Sequence, residues 1–191
     1  VGTRSGPAVA EPGPARAVRV YVALGSNLGD RHATLDDARN ALAGLARPAS
    51  SFRCSARVES PAMRVPERPA ERQPDYLNAV AVLDTVLSPH DLLDALQGIE
   101  SAAGRRRIPG QRWGARTLDL DLLLYGERRV EDARLSVPHP GIAHRAFVLA
   151  PLYDLAPDLV IPGQGRVDEL LARSCGSAPS PGSAVAGETR S

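Results

Sequence analysis

The stretch Thr-Leu-Asp-Leu-Asp-Leu-Leu-Leu-Tyr, residues 117–125, constrains the fold more than any other segment of the chain. Side chains alternate across a strand, so Leu118, Leu120 and Leu122 point to one face and Asp119 and Asp121 to the other, with the two carboxylates roughly 7 Å apart. The unbroken run Leu122-Leu123-Leu124 reads as a central strand buried on both faces. Carboxylates on such a strand need a compensating partner, and metal coordination is the commonest one. A solvated face with surface arginine partners is the alternative for an Asp-x-Asp pair taken alone. The flanks favour phosphate chemistry. Arg112 and Arg116 carry planar, permanently charged forks suited to phosphate oxygens, and Arg105, Arg106 and Arg107 add charge on the same approach. Mg²⁺ suits the pair, because it takes one or two carboxylates, keeps waters and completes its shell with substrate phosphates.

Around that strand the elements alternate. Val18 to Leu24 reads as a strand, and Asp30 is placed to cap a helix whose apolar face is Leu35, Ala38, Leu42 and Leu45. Phe52, Cys54, Ala56 and Val58 alternate with polar residues as a second strand. A proline-rich loop from Pro61 to Pro74 follows, then a third strand from Asp75 to Leu87. Ser88-Pro89-His90-Asp91 marks a helix start, Leu92, Leu93, Leu96 and Ile99 its apolar face, and Gly104 its end. After the Asp119/Asp121 strand, Tyr125-Gly126-Glu127 turns the chain back. Residues 145–155 and 168–173 are short helix candidates. The order β-α-β-β-α-β predicts an α+β protein with a ferredoxin-like core, a largely antiparallel sheet carrying two helices on one face and leaving the other exposed. Residues 1–17 and 174–191, rich in Gly, Pro, Ser and Ala, read as disordered tails on a domain spanning 18–173.

Composition removes whole classes of function. All 23 basic residues are arginine, so there is no lysine for a Walker-type ATP site or a Schiff base. A net charge of +1 argues against a nucleic-acid surface. Two cysteines, Cys54 and Cys175, make neither a disulfide framework nor a zinc spacing. No stretch is apolar for long enough to span a membrane, and the start lacks the apolar core of a secretory signal. The expectation is a soluble cytoplasmic protein.

Arg105-Arg106-Arg107 with Arg112 to Asp121 resembles the signature of the 6-hydroxymethyl-7,8-dihydropterin pyrophosphokinases of folate biosynthesis. Gly25-Ser26-Asn27, Gln73-Pro74-Asp75-Tyr76-Leu77-Asn78-Ala79, and Val137-Pro138-His139-Pro140 with Arg145-Ala146-Phe147 match in the same order, so the resemblance runs from about Val20 to Pro162. It implies transfer of pyrophosphate from ATP to the hydroxymethyl oxygen of 6-hydroxymethyl-7,8-dihydropterin, with AMP as the other product. It implies two Mg²⁺ ions held by Asp119 and Asp121, with Arg105 and Arg116 alongside as catalytic residues. Gln97, Glu100, Arg107, Arg112, Arg134, Ser136, His139 and Arg145 match ATP-side positions, Gln97 and Glu100 being otherwise the solvated face of their helix. Tyr76 and Phe147 match the aromatic pair that stacks on the pterin, Asn78 its edge contact, and Trp113 a loop that closes over bound ligands. The loops at 61–74 and 108–111 look longer than the family's. A nonenzymatic pterin- or nucleotide-binding regulator on the same fold is the competing reading, against which the retained carboxylate pair speaks. Excision from a multifunctional folate enzyme is another. A monomer binding neither nucleic acid nor membrane is expected.

Overall fold

The computed structural model of this chain describes residues 16–62, 73–105 and 116–176, with side chains up to Ser174. In chain order the elements are β1 (Val18–Ser26), α1 (Arg31–Ala43), β2 (Arg53–Cys54), β3 (Val58–Ser60), β4 (Tyr76–Thr85), α2 (Pro89–Ala102), β5 (Asp119–Tyr125), β6 (Val130–Glu131), β7 (Ser136–Val137), α3 (Ala146–Leu155), β8 (Val160–Ile161), β9 (Gly165–Arg166) and α4 (Val167–Gly176). The main sheet runs β2-β4-β1-β5, with β3 also on β4, and every pairing in it is antiparallel.

Local chemistry explains the helix limits. The Asp30 carboxylate accepts the Ala33 N–H at 3.0 Å, capping α1. Ser88 does the same for α2 through the Asp91 N–H at 3.2 Å, with Pro89 in the first turn. Beyond α2, Gly104 takes a left-handed φ of 80° that a Cβ would strain. Helix α4 continues to Gly176, past the expected boundary at Arg173.

Three expectations need correction. The first concerns the second strand, which is broken in two. The Ser55 hydroxyl accepts the Val80 N–H at 3.0 Å where a strand carbonyl would otherwise serve, so β2 and β3 meet β4 separately.

The second is that β5 lies at the sheet edge, paired with β1 alone among the strands. Its apolar run is buried for other reasons. Leu120, Leu122 and Tyr125 join the core shared with α1 and α2, while Leu123 and Leu124 both join the core shared with α3 and α4. A register shift, where Tyr21 faces Leu124 but Val22 faces Leu122, puts those neighbours on one face, as a bulge does. The open edge is covered by the chain after β7, whose His139 N–H donates to the Leu123 carbonyl at 2.9 Å.

The third is that the second sheet face is not left open. Val148, Leu149 and Leu152 of α3 pack on Tyr21, Val80 and Val82, with Val167 and Leu170 of α4 in the same cluster. Each fully buried leucine contributes about 1.5–3 kcal/mol. The cleft lies at the end of this face where Ala23 and Gly25 stand. No helix among the described residues is long and apolar enough to cross a membrane.

Candidate active site

The strand register builds the floor of the cleft. Gly25 of β1 stands between Asn78 of β4 and Asp119 of β5, and Ala23 stands between Val80 and Asp121. One residue type per row matters most. A Cβ on Gly25 would sit 3.4 Å from Asn78 Oδ1, 3.6 Å from Tyr76 and 4.0 Å from Asp119, filling the space between the polar groups. The cleft encloses about 540 Å³, and Tyr76, Asn78, Arg116, Asp119, Asp121, His139, Arg145 and Phe147 all line it. That size and mix, an apolar hollow with a few convergent polar groups, suits a small-molecule site. Tyr76 enters from the start of β4 and Phe147 from the first turn of α3, so the two rings come from separate elements across one hollow.

Each carboxylate is held by arginine. Asp119 takes Arg116 at 2.7 Å through one oxygen and Arg105 at 2.7 Å through the other. Asp121 faces Arg145 at 3.4 Å and His139 Nε2 at 3.8 Å. Burial lowers the His139 pKa, the neighbouring Asp121 opposes this, and Arg145 adds to the lowering. Its Nδ1 accepts the Gly141 N–H at 3.0 Å, so the neutral ring carries its proton on Nε2, the nitrogen turned towards Asp121. Gly141 allows that packing, because a Cβ there would lie 2.9 Å from Arg145 Nε and 3.2 Å from the His139 ring.

Other expected residues stand elsewhere. Glu100 is 2% exposed and does not line the cleft. Its carboxylate accepts the Leu120 N–H at 2.8 Å and binds Arg105, fastening the end of α2 to the start of β5. The solvated-face alternative for Glu100 is thereby excluded. Gln97 is half-buried one turn earlier. Arg134 is paired with Asp94 on the outer flank of α2, and Ser136 lies half-buried in β7, so neither lines the cleft. Arg106, Arg107, Arg112 and Trp113, with the closing loop expected around them, lie outside the described residues. Among the described residues no group of three or more His, Cys, Asp or Glu side chains could hold a metal. The donor set is the carboxylate pair, which suits a cation that draws its remaining ligands from water and phosphate.

Asn27, which ends the matched segment Gly25-Ser26-Asn27, has a structural part that its local sequence does not show. It is 1% exposed. Its Nδ2 donates to the Pro74 carbonyl at 3.1 Å and its Oδ1 accepts the Arg116 N–H at 2.7 Å. Its own N–H donates to the Arg116 carbonyl at 3.1 Å. One side chain thus ties the two segments that carry Tyr76 and Arg116 to the end of β1. We expect Asn27→Ala to cost about 1–3 kcal/mol in urea unfolding, the range for stripping partners from buried polar groups. Turnover should fall about tenfold with it. Unchanged unfolding and kinetics would show that the clamp is dispensable.

A profile of the 7,8-dihydro-6-hydroxymethylpterin-pyrophosphokinase (HPPK) family matches residues 21–157. The chain is 49% identical over 154 residues to the 2-amino-4-hydroxy-6-hydroxymethyldihydropteridine pyrophosphokinase of Pseudomonas aeruginosa, covering 81% of this chain and 90% of that one. It is 43% identical over 158 residues to the protein of the same name from Haemophilus influenzae, covering 81% and 91%. Among solved structures it resembles Plasmodium falciparum HPPK-DHPS with pteroate, at a TM-score of 0.59 and 13% identity, over 85% of this chain and 43% of that one. That likeness is one of fold, and the match spans under half the length of that chain.

Proposed function

Because the chain belongs to the 7,8-dihydro-6-hydroxymethylpterin-pyrophosphokinase family, we propose that it moves the pyrophosphoryl group of ATP to the hydroxymethyl oxygen of the dihydropterin, releasing AMP. The observation that carries this reading is the single cleft in which an Asp119/Asp121 pair, the Arg116 and Arg145 guanidinium groups, and the Tyr76 and Phe147 rings all meet. A phosphate chain needs cations, and a flat heteroaromatic ring needs stacking faces.

In this reading Asp119 and Asp121 are the protein's ligands to two Mg²⁺ ions. Bound magnesium supplies charge neutralisation across the phosphates of the transferred group. The arginines have two tasks. Arg105 and Arg116 neutralise Asp119, and Arg145 neutralises Asp121. With a nucleotide present, Arg116 and Arg145, which line the cleft, can turn to phosphate oxygens, which accept bidentately as carboxylates do, while Arg105 stays with Glu100 behind the wall. His139, neutral and with its Nε2 proton turned inward, donates a hydrogen bond to the nucleotide. Tyr76 and Phe147 stack on the pterin, and Asn78 meets its edge. Arg107 and Arg112 serve the triphosphate, and Trp113 the pterin side. Gln97, Arg134 and Ser136 serve the nucleotide from beyond the described cleft walls, while Glu100 acts through Arg105. The ferredoxin-like description of the core is supported by the order β2-β4-β1-β5 when β2 and β3 are taken as two halves of one strand.

Two experiments test this. A chelator should abolish pterin-dependent consumption of ATP and added Mg²⁺ restore it; consumption that persists without divalent cation overturns the metal assignment. Phe147→Ala should weaken pterin binding about tenfold in calorimetry, since stacking contributes on the order of 1 kcal/mol or more per face. A nonhydrolysable ATP analogue should bind that variant within twofold of the parent. Equal weakening of both ligands would make Phe147 a structural residue.

A further inference from the structure

We infer that Ser60 is a specificity-determining positioning residue, which sets the orientation of the Asn78 amide; the inference rests on the pterin reading of the cleft. Asn78 is 6% exposed and lies on the cleft floor. Its amide nitrogen is already occupied, donating to Ser60 Oγ at 2.9 Å, to the Val58 carbonyl at 3.2 Å and to the Tyr76 carbonyl at 3.5 Å. The two shorter bonds go to β3, the short strand whose end leads into Pro61 in the cleft wall. The amide oxygen is the atom that faces Gly25. A buried amide has two donors and one acceptor group, and it flips to satisfy whichever side is more demanding. With the donors engaged on β3, what Asn78 offers the cleft is an acceptor.

An acceptor in that place selects a ring edge that carries N–H donors. The 2-amino group and the adjacent ring N–H of a pterin form such an edge. A 2-oxo analogue replaces one donor by an oxygen, which would face the Asn78 oxygen with no proton between them. Such a mismatched contact discriminates because the 2-oxo group finds no donor there and the Asn78 oxygen keeps only the ring N–H. Without Ser60 the amide nitrogen loses its shortest bond and keeps only the Val58 and Tyr76 carbonyls, so the orientation of its oxygen towards the cleft is held less firmly. Ser60 therefore sets the substrate preference without touching the reacting atoms.

The test uses Ser60→Thr and Ser60→Val, which have the same shape and differ in the hydroxyl. In Ser60→Val the KM for the pterin should rise about tenfold, while the KM for ATP and kcat stay within twofold. Its preference for the pterin over the 2-oxo analogue should fall about tenfold. Ser60→Thr should match the parent protein in all of these. The Asn78 side-chain amide resonances should move in Ser60→Val and hold their place in Ser60→Thr. If Ser60→Val keeps the parent's pterin KM and ring preference, or if both KM values rise together, the inference is overturned. The parent protein in the same assay separates the two levels: turnover of the pterin there leaves the cleft reading standing, whereas none overturns that reading and this inference with it.

Discussion

Replacing Asp119 or Asp121 by alanine is expected to lower kcat by a factor on the order of 10²–10³ or more, the scale of losing a preorganised charge-stabilising group. The two side chains share one face of β5 and point into one cleft. Neither is buried deeply enough for the fold to depend on it, at 23% and 34% side-chain exposure. Water can serve Arg116 and Arg145 in the cleft wall in their place, and Arg105 keeps Glu100 as its counter-charge. The thermal melt of each variant should therefore stay close to the parent's while turnover collapses. Asparagine at either position should be almost as damaging as alanine, because it keeps the shape and loses the charge. Near-normal turnover of both alanine variants at saturating Mg²⁺ would show that the pair does not hold the metal.

Glu100→Ala should produce the largest loss of stability, about 3 kcal/mol, in the range for breaking a buried charge pair by removing one partner. The carboxylate is 2% exposed, and Arg105, which it binds, is 15% exposed. Alanine would strip the acceptor from the buried Leu120 N–H as well as the counter-charge from Arg105. Glu100→Gln restores an acceptor for the N–H without the charge, so it should recover part of the loss. Urea unfolding of the two variants measures this directly, and a change below about 1 kcal/mol in Glu100→Ala would contradict the anchoring role. Turnover should fall too, since Arg105 bridges Glu100 to Asp119.

What was legible in the sequence was local. The caps at Asp30 and Ser88 and the stop at Gly104 follow from hydrogen bonding and backbone geometry within a few residues, and the helices begin and end there. The shared face of Asp119 and Asp121 follows from strand alternation. The place of their strand in the sheet does not. A continuous apolar run reads the same for a central strand and for an edge strand covered by α2, α3 and the segment after β7. The bulge at Leu123 leaves no mark in the residue order. Glu100 was legible in part: it stands four residues after Leu96 on the buried row Leu92-Leu96, but a glutamate on a helix defaults to solvent. Asn27 bonds to Pro74 and Arg116, 47 and 89 residues away. No local pattern carries such contacts. Ser60 acts only through Asn78, and so had no signature of its own.

The central claim is that two phosphates leave ATP together. Incubation with ATP, Mg²⁺ and 6-hydroxymethyl-7,8-dihydropterin, with the nucleotides then separated, tests it most directly. The prediction is AMP and pterin diphosphate in equal amounts, with no ADP formed in step with them. ADP with a pterin monophosphate, or AMP released at the same rate when the pterin is left out, would contradict it.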